Sequence, residues 1–587
     1  MAGLFHDELS YLRESGKEFS RLNPKLSKYL SESSTDPDVE RLLEGFAFLT
    51  SRVREKIEDD LPELTHSLVQ LLWPNFLRPF PPTCLMQFRP IRGTITEAHI
   101  IPRGMAMRAR PIEGGSCDFR TTADCLVYPV ELTDAAHTRT QDRSQLTLSF
   151  AMLSGRTVGS VNFSDLRLWF TGDAIVAQTL YLWCLRYLLA LHFTTPDGRR
   201  VRLPNTGVRA GGFAFDETLL PSASTAFDAY RLLQEFFVFP DKFHCVDLNG
   251  LAAAAAGSEA EEFGLDLEFE RPLPTHVKLR ADNVRLFCSP AVNLFETDAE
   301  PIAVDHRKVQ YRVRPSGNDH VACEIFSIDN VVGFRGSEKD RRFQIERAYP
   351  AFESFHHEVE MASRREQVYY RQRLTPAANE TGFEHAITFV LHDGEQAVPA
   401  EEAMSIRLTC FNRTRAVELA IGDIDLATDS SPSFIEFSNI TRPTSPVYPP
   451  IDGALNWNLI SNLSLNYMSL LDKNALGVIL QIYDYRSLTD RQAERAARLR
   501  LGGIRNLSTR PVDMLFKGRP IRGIRSILTL DETCFQSEGE MYLFGSILKE
   551  FIAISTTTNS FHELELRGEN NGEIYRWPAT IGRQPLI

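Results

Sequence analysis

QLTLSFAML (Gln145–Leu153) is the stretch that decides the fold class. Leu146, Leu148 and Phe150 recur at every second position, so an extended chain carries all three on one face and Gln145, Thr147 and Ser149 on the other. LRLWF (Leu166–Phe170) repeats the device with Leu166, Leu168 and Phe170. QFRPIRGTITEAHIIPRG (Gln87–Gly104), Leu265-Leu267-Phe269, VKLR (Val277–Arg280), VRLF (Val284–Phe287), VQYRVRP (Val309–Pro315), ACEIFSI (Ala322–Ile328) and ITFVL (Ile387–Leu391) read the same way. Many short strands therefore fill the middle of the chain.

Before Pro82 the period is helical. Phe5, Leu9, Leu12, Gly16 and Phe19 are spaced 4, 3, 4 and 3 apart, a narrow seam of the bundle or coiled-coil kind. Asp36-Pro37-Asp38 starts a second helix with an N-cap, a first-turn proline and a charge that suits the helix dipole. Val39, Leu42, Leu43, Phe46, Leu49, Val53 and Ile57 then share a face opposite Arg52, Arg54, Glu55, Lys56, Glu58 and Asp59. Leu61-Pro62 opens a further turn with Leu64, Leu68, Leu71 and Leu72, and Trp73-Pro74 and Pro79–Pro82 end the helical region. Such helices must cover their apolar faces with the rest of the chain or with a partner's helices, and both remain open. Downstream, Ile175–Phe193 reads as a buried helix, Val208–Phe215 as irregular and Gly-rich, and Leu251–Glu262 as a low-complexity loop or frayed helix at a domain seam. Asn456–Leu480 and MYLFGSILKEFIAIS (Met541–Ser555) read as helices and SILTL (Ser526–Leu530) as a strand. The expected class is a multidomain α+β protein: a helical region 1–82, β-rich domains 83–250 and 251–450, and an α+β part 451–587.

A chain of 587 residues with 43% hydrophobic and 24% charged residues is globular, not largely disordered. Its formal charge of −13 is a poor match for DNA or an anionic membrane surface, so no nucleic-acid partner is expected. The nine cysteines are widely spaced without a CxxC, which argues against a disulfide framework and a zinc ribbon. No signal peptide opens the chain, and no apolar run approaches the ~20 residues of a spanning helix. A cytoplasmic protein without direct membrane insertion is expected.

Motifs for chemistry are sparse. Walker, GxGxxG, HExxH and GxSxG patterns are lacking. His356-His357 would point to opposite faces of a strand and share no metal. Asp59-Asp60-Glu63 and Glu259-Glu261-Glu262 read as solvated charge runs. Cys288, with His306 eighteen residues on, sits in an apolar strand pattern that suits an inert thiol. No catalytic, metal or cofactor site is expected. YRLLQEFFVFPDKF (Tyr230–Phe243) instead concentrates Tyr230, Phe236, Phe237, Phe239 and Phe243. They are either plain core or partly exposed anchors of a protein–protein contact.

Asp36–Pro81 as a whole, and LSYLRESGKEF (Leu9–Phe19) before it, resemble the N-terminal signature of the type VI secretion TssF family, also called ImpG or VasA. Similar matches follow in order: CDFRTTAD (Cys117–Asp124) with Val127-Tyr128-Pro129, LLPSASTAFDAYRLLQEFFVFPDKF (Leu219–Phe243), SPAVNLFE (Ser289–Glu296) with Glu300-Pro301-Ile302, TCFNR (Thr409–Arg413), ITRPT (Ile440–Thr444), WNLISNLSLNYMSL (Trp457–Leu470), GEMYLFGSILKEFIAISTTTNSF (Gly539–Phe561) and WPATIGRQPLI (Trp577–Ile587). Departures are His244-Cys245 in place of large apolar residues, FNRTRAV (Phe411–Val417), and the basic stretch Arg491–Arg500. The resemblance implies a structural wedge subunit of a contractile-tail baseplate, similar to the wedge proteins of contractile phages and requiring no cofactor. It implies two TssF copies joining one TssG, contacts with TssK and TssE, and a spike hub, VgrG, at the centre. It also implies a place at the cytoplasmic face of the inner membrane when assembled. Phe5, Leu9, Leu12, Phe19, Leu42, Phe46, Leu49 and Val53 are then candidates for an inter-subunit helical bundle, with Tyr230, Phe236, Phe237 and Phe239 as candidate anchors. A phage-type wedge protein, a secreted hydrolase effector and a glycan-binding module are the rival readings.

Overall fold

A computed structural model describes residues 44–49, 66, 69–70, 73–112, 114–221, 228–304, 308–317, 323–336, 344–352, 368–377, 382–391, 402–449, 451, 471–516, 518–554, 556 and 560–582. Two compact units emerge: Met1–Leu77 with Pro450–Leu463, and Arg78–Pro449 with Ser464–Ile587. In the smaller unit residues 44–49 are helical. Trp73 N donates to Val69 O (2.7 Å), and Pro74–Phe76 form a 3-10 turn. Asn456–Leu470, the first part of the helix expected from the sequence, lies outside the described residues.

The larger unit is β-rich, as the period-2 pattern predicts. Thr83–Pro90 lies antiparallel between Ile435–Asn439 and Cys288–Val292, which continues to Asp118–Thr121 and Ala106–Arg108. Its first six residues are all buried, the signature of a strand covered on both faces. In a second sheet Ser144–Met152 lies between Val130–Arg139 and Glu262–Phe269. Its residues alternate strictly between buried and half-buried, with Leu146, Leu148 and Phe150 inside. Phe150 and Phe193 both stack on Phe263, at 4.7 and 5.4 Å between ring centroids. Glu402–Asn412 pairs with Cys323–Gly336 and with Phe295–Asp298. Val331, Ile406 and Leu408 share a core with Tyr311, Ile387 and Phe389 of the neighbouring three-stranded sheet.

Four expectations are corrected. The helix expected over Ile175–Phe193 ends at Arg186, and Leu188–Thr194 is a strand. Val176–Cys184 is buried all round, which hides any period. Beyond Tyr187, Leu191 and Phe193 turn inward in alternation and pair with Glu262–Phe269. VKLR is not a strand: Val277 N donates to Pro274 O in a turn, and Pro272 and Pro274 lack the N–H groups a ladder needs. VRLF contributes only the two-residue strand Val284–Arg285. Within Leu251–Glu262, Leu251–Ala255 is a short helix and Glu262 begins the strand that joins the second sheet.

Among the described residues of the larger unit the helices are α1 (Ala174–Arg186), α2 (Asp228–Val238), α3 (Leu251–Ala255), α4 (Lys473–Tyr483), α5 (Tyr485–Thr489), α6 (Arg491–Gly502) and α7 (Glu538–Ile554). Most residues of α7 are buried, since it packs on α1, α2 and the strand Phe561–Gly568. That strand runs parallel to Arg519–Leu530, with α7 as the crossover helix a parallel pair requires.

Candidate docking surface and buried joints

The bundle stripe is described only in part. Phe46 and Leu49 are 59% and 63% exposed, and Phe48 is also exposed, while Ala47 between them is fully buried. Large apolar side chains directed at water on a helix are what a docking helix presents. Phe5, Leu9, Leu12, Phe19, Leu42 and Val53 lie outside the described residues.

Tyr230, Phe236, Phe237 and Phe239 are buried in this chain's own core. Tyr230 stacks on Tyr483 and meets the edge of Phe551; Phe236 packs on Phe544. The Arg500 guanidinium covers Phe236 and Phe237 and pairs with Glu540 at 2.8 Å. Thus the Phe-rich segment and α7, two of the long motif segments, form one core.

Sequence reasoning missed the charges inside that core. Glu235, on α2, faces Lys242, an ion pair with both side chains 1% exposed. Arg231 Nη1 adds a contact at 3.2 Å, and Leu219 N donates to Glu235 Oε1 at 2.8 Å. Burial pushes the Glu235 carboxyl up, but Arg231 and Lys242 outweigh it and hold the pKa below its ordinary value. Burial lowers the Lys242 amine against the pull of Glu235. The signal was present as an i, i+4 Arg231/Glu235 pair with a lysine two residues past Pro240. Beside this group Arg167 bridges Glu217 and Asp247.

Other motif segments join at polar contacts. Asn293 of SPAVNLFE and Asn412 of TCFNR are both buried and bond reciprocally: Asn412 N donates to Asn293 Oδ1 (2.6 Å) and Asn293 Nδ2 to Asn412 Oδ1 (3.0 Å). In ITRPT, Thr441 Oγ1 accepts from Leu85 N at 2.8 Å and Thr444 Oγ1 from Thr83 N at 3.1 Å. These short motifs thereby fix the start of the first strand. His244 and Cys245, where the chain departs from the family pattern, are both buried.

Burial raises the Cys288 thiol well above its ordinary range, which disfavours the thiolate; His306 and His356-His357 lie outside the described residues. Glu259, Glu261 and Glu262 are exposed. Among the described residues, no group of His, Cys, Asp and Glu could hold a metal ion, and no helix is long and apolar enough to cross a membrane. A cleft of about 330 Å³ is lined by His244, Asp484, Arg486, Arg500, Gln536 and Glu540. Asp484 caps α5 by accepting from Ser487 N (3.2 Å), and burial pushes its pKa up to about 6. The folded protein therefore holds this proton more tightly than the unfolded chain. Stability from this group falls as pH rises from about 4 to about 6 and stays low above. Asp484→Asn keeps the cap and removes the charge. We expect it to stabilise the protein by about 2 kcal/mol at pH 8 and much less at pH 4.5. Thermal melts of both proteins across that range check this; an equal difference at the two ends rules it out.

The model of the family "Type VI secretion system, TssF" matches residues 2–584. TssF1, a type VI secretion system component of Pseudomonas aeruginosa, is 30% identical over 627 aligned positions, covering 99% of both chains. Among solved structures, a chain of the type VI secretion system TssK-TssF-TssG baseplate subcomplex superposes with a TM-score of 0.77 at 30% identity, over 92% of this chain and 98% of that one. A chain of the type VI secretion baseplate complex superposes at 0.61 and 26% identity over the whole of both. Coverage of this extent, with the motif segments packed together as core and joints, shows that the chain belongs to the TssF family of structural components of the type VI secretion system baseplate.

Proposed function

We propose that this chain is a wedge subunit whose N-terminal helices enter a bundle with TssG, and that it has no catalytic role of its own. In this reading two copies share one TssG, and the wedge contacts TssK, the sheath-linked TssE and the spike hub VgrG at the cytoplasmic face of the inner membrane. A baseplate holds an extended sheath and releases it by moving rigid domains about their interfaces, so its subunits need broad contact surfaces, not a reactive centre. The exposure of Phe46 and Leu49 carries the reading. Covering two such side chains contributes about 3–5 kcal/mol, enough to decide whether a complex survives purification. Phe46→Asp with Leu49→Asp is expected to abolish co-purification with TssG while the far-ultraviolet circular dichroism of the β-rich unit stays unchanged. Recovery of TssG at wild-type yield would count against the proposal.

A further inference from the structure

The strands Ile504–Phe516 and Arg519–Leu530 form a hairpin that outruns its sheet. The next strand, Phe561–Gly568, joins only from Ile524, opposite His562. Beyond that point residues 512–516 and 519–523 have, among the described residues, ladder partners only in each other, a two-stranded ribbon about 17 Å long. Gly523 sets its base: a Cβ there would lie 2.4 Å from Phe561 O. A ribbon of two strands is marginal in water by itself. This one carries apolar residues on both faces, with Val512, Met514 and Ile521 half-buried and Leu515 76% exposed. Its outer strand has a free edge among the described residues, blunted at Pro511.

The hairpin as a whole is also basic in an acidic protein. Residues 505–525 hold six Arg or Lys and one Asp. Taking this +5 from the chain total of −13 leaves −18 on the remainder. Arg505 pairs with Asp531 and Glu569, and Arg525 with Glu563, at the base. Arg510, opposite Arg525 at the base, and Arg522, on the ribbon, are exposed and make no ion pair among the described residues. Conversely Glu259, Glu261 and Glu262 are exposed carboxylates with no ion pair among the described residues.

We infer that this hairpin is an arm that docks on a carboxylate-bearing surface of a second copy of the chain. Charge complementarity selects the acidic body of another copy, and the apolar tip supplies the desolvated centre of the contact. The inference names a surface for the two-copy wedge proposed above and rests on that reading. The test uses the full chain co-expressed with TssG and carrying Leu515→p-benzoylphenylalanine. Irradiation is expected to give a crosslinked band of two copies of this chain. Adding Arg510→Glu and Arg522→Glu should cut its yield about tenfold, whereas Arg510→Lys and Arg522→Lys should preserve it. Crosslinks to TssG or to lipid, no crosslink, or a yield indifferent to charge reversal each overturn the arm's assignment. Light scattering of the same complex separates the two readings: one copy per TssG in the wild type sinks the two-copy wedge itself, while two copies without the crosslink sink only the arm.

Discussion

Glu235→Gln is expected to cost about 3–5 kcal/mol, although the substitution changes no shape. Both partners are inside: Lys242 is 1% exposed and Arg231 nearly as buried. Glutamine preserves an oxygen for Leu219 N but leaves the two cations without their shared carboxylate. Removing one side of a buried pair exposes the full desolvation cost of the other, which is why the single change is so damaging. Lys242 then has two escapes. It can lose its proton, or it can turn toward Glu217, which already faces Arg167. Neither restores the original contact. Removing both charges, with Glu235→Gln and Lys242→Met, should recover at least half of the loss because the stranded ammonium is gone. Urea midpoints of the two variants against wild type are the measurement. A single variant within about 1 kcal/mol of wild type would show that water reaches this site and that the ion pair contributes little.

The position of that pair shows what a sequence reveals and what it withholds. Leu146, Leu148 and Phe150 were legible because their rule is local: alternation commits a strand whatever its partners are. Residues 188–194 were not legible, because the wholly buried α1 before them erases periodicity and only pairing with Glu262–Phe269 defines the strand. For Phe236 and Phe237 the composition allowed both core and anchor. What decides is α7 with Phe544, some 300 positions away, and no local pattern encodes that contact. Phe46 and Leu49 lie at the opposite extreme. Their stripe could be read from spacing, and both of these residues are exposed in this chain. The aromatic residues around Glu235 dominate the local pattern and mask it. A carboxylate amid five aromatic side chains asks for a buried cation, and Lys242 was within the same quoted segment.

Gly539→Ala is expected to destabilise the protein by about 3 kcal/mol, against the general rule for helices. In an exposed helix interior, alanine in place of glycine gains up to about 1 kcal/mol. Here a Cβ would lie 2.2 Å from the Gln178 carbonyl oxygen and 2.4 Å from its carbon. Those are backbone atoms of α1, so no rotamer change relieves the overlap, and the two helices must part. Parting them also stretches the Ser537 Oγ to Gln178 Oε1 bond of 2.6 Å and the Tyr187 hydroxyl bond to Glu538 at 2.9 Å. Overpacking therefore outweighs propensity. Gly477 in α4 supplies the control, because no described atom comes within 4 Å of the position its Cβ would take. Gly477→Ala should raise the thermal midpoint slightly and Gly539→Ala should lower it by several degrees. If both changed the midpoint in the same direction, close approach of α1 and α7 would not be the reason a glycine stands in the first turn of α7.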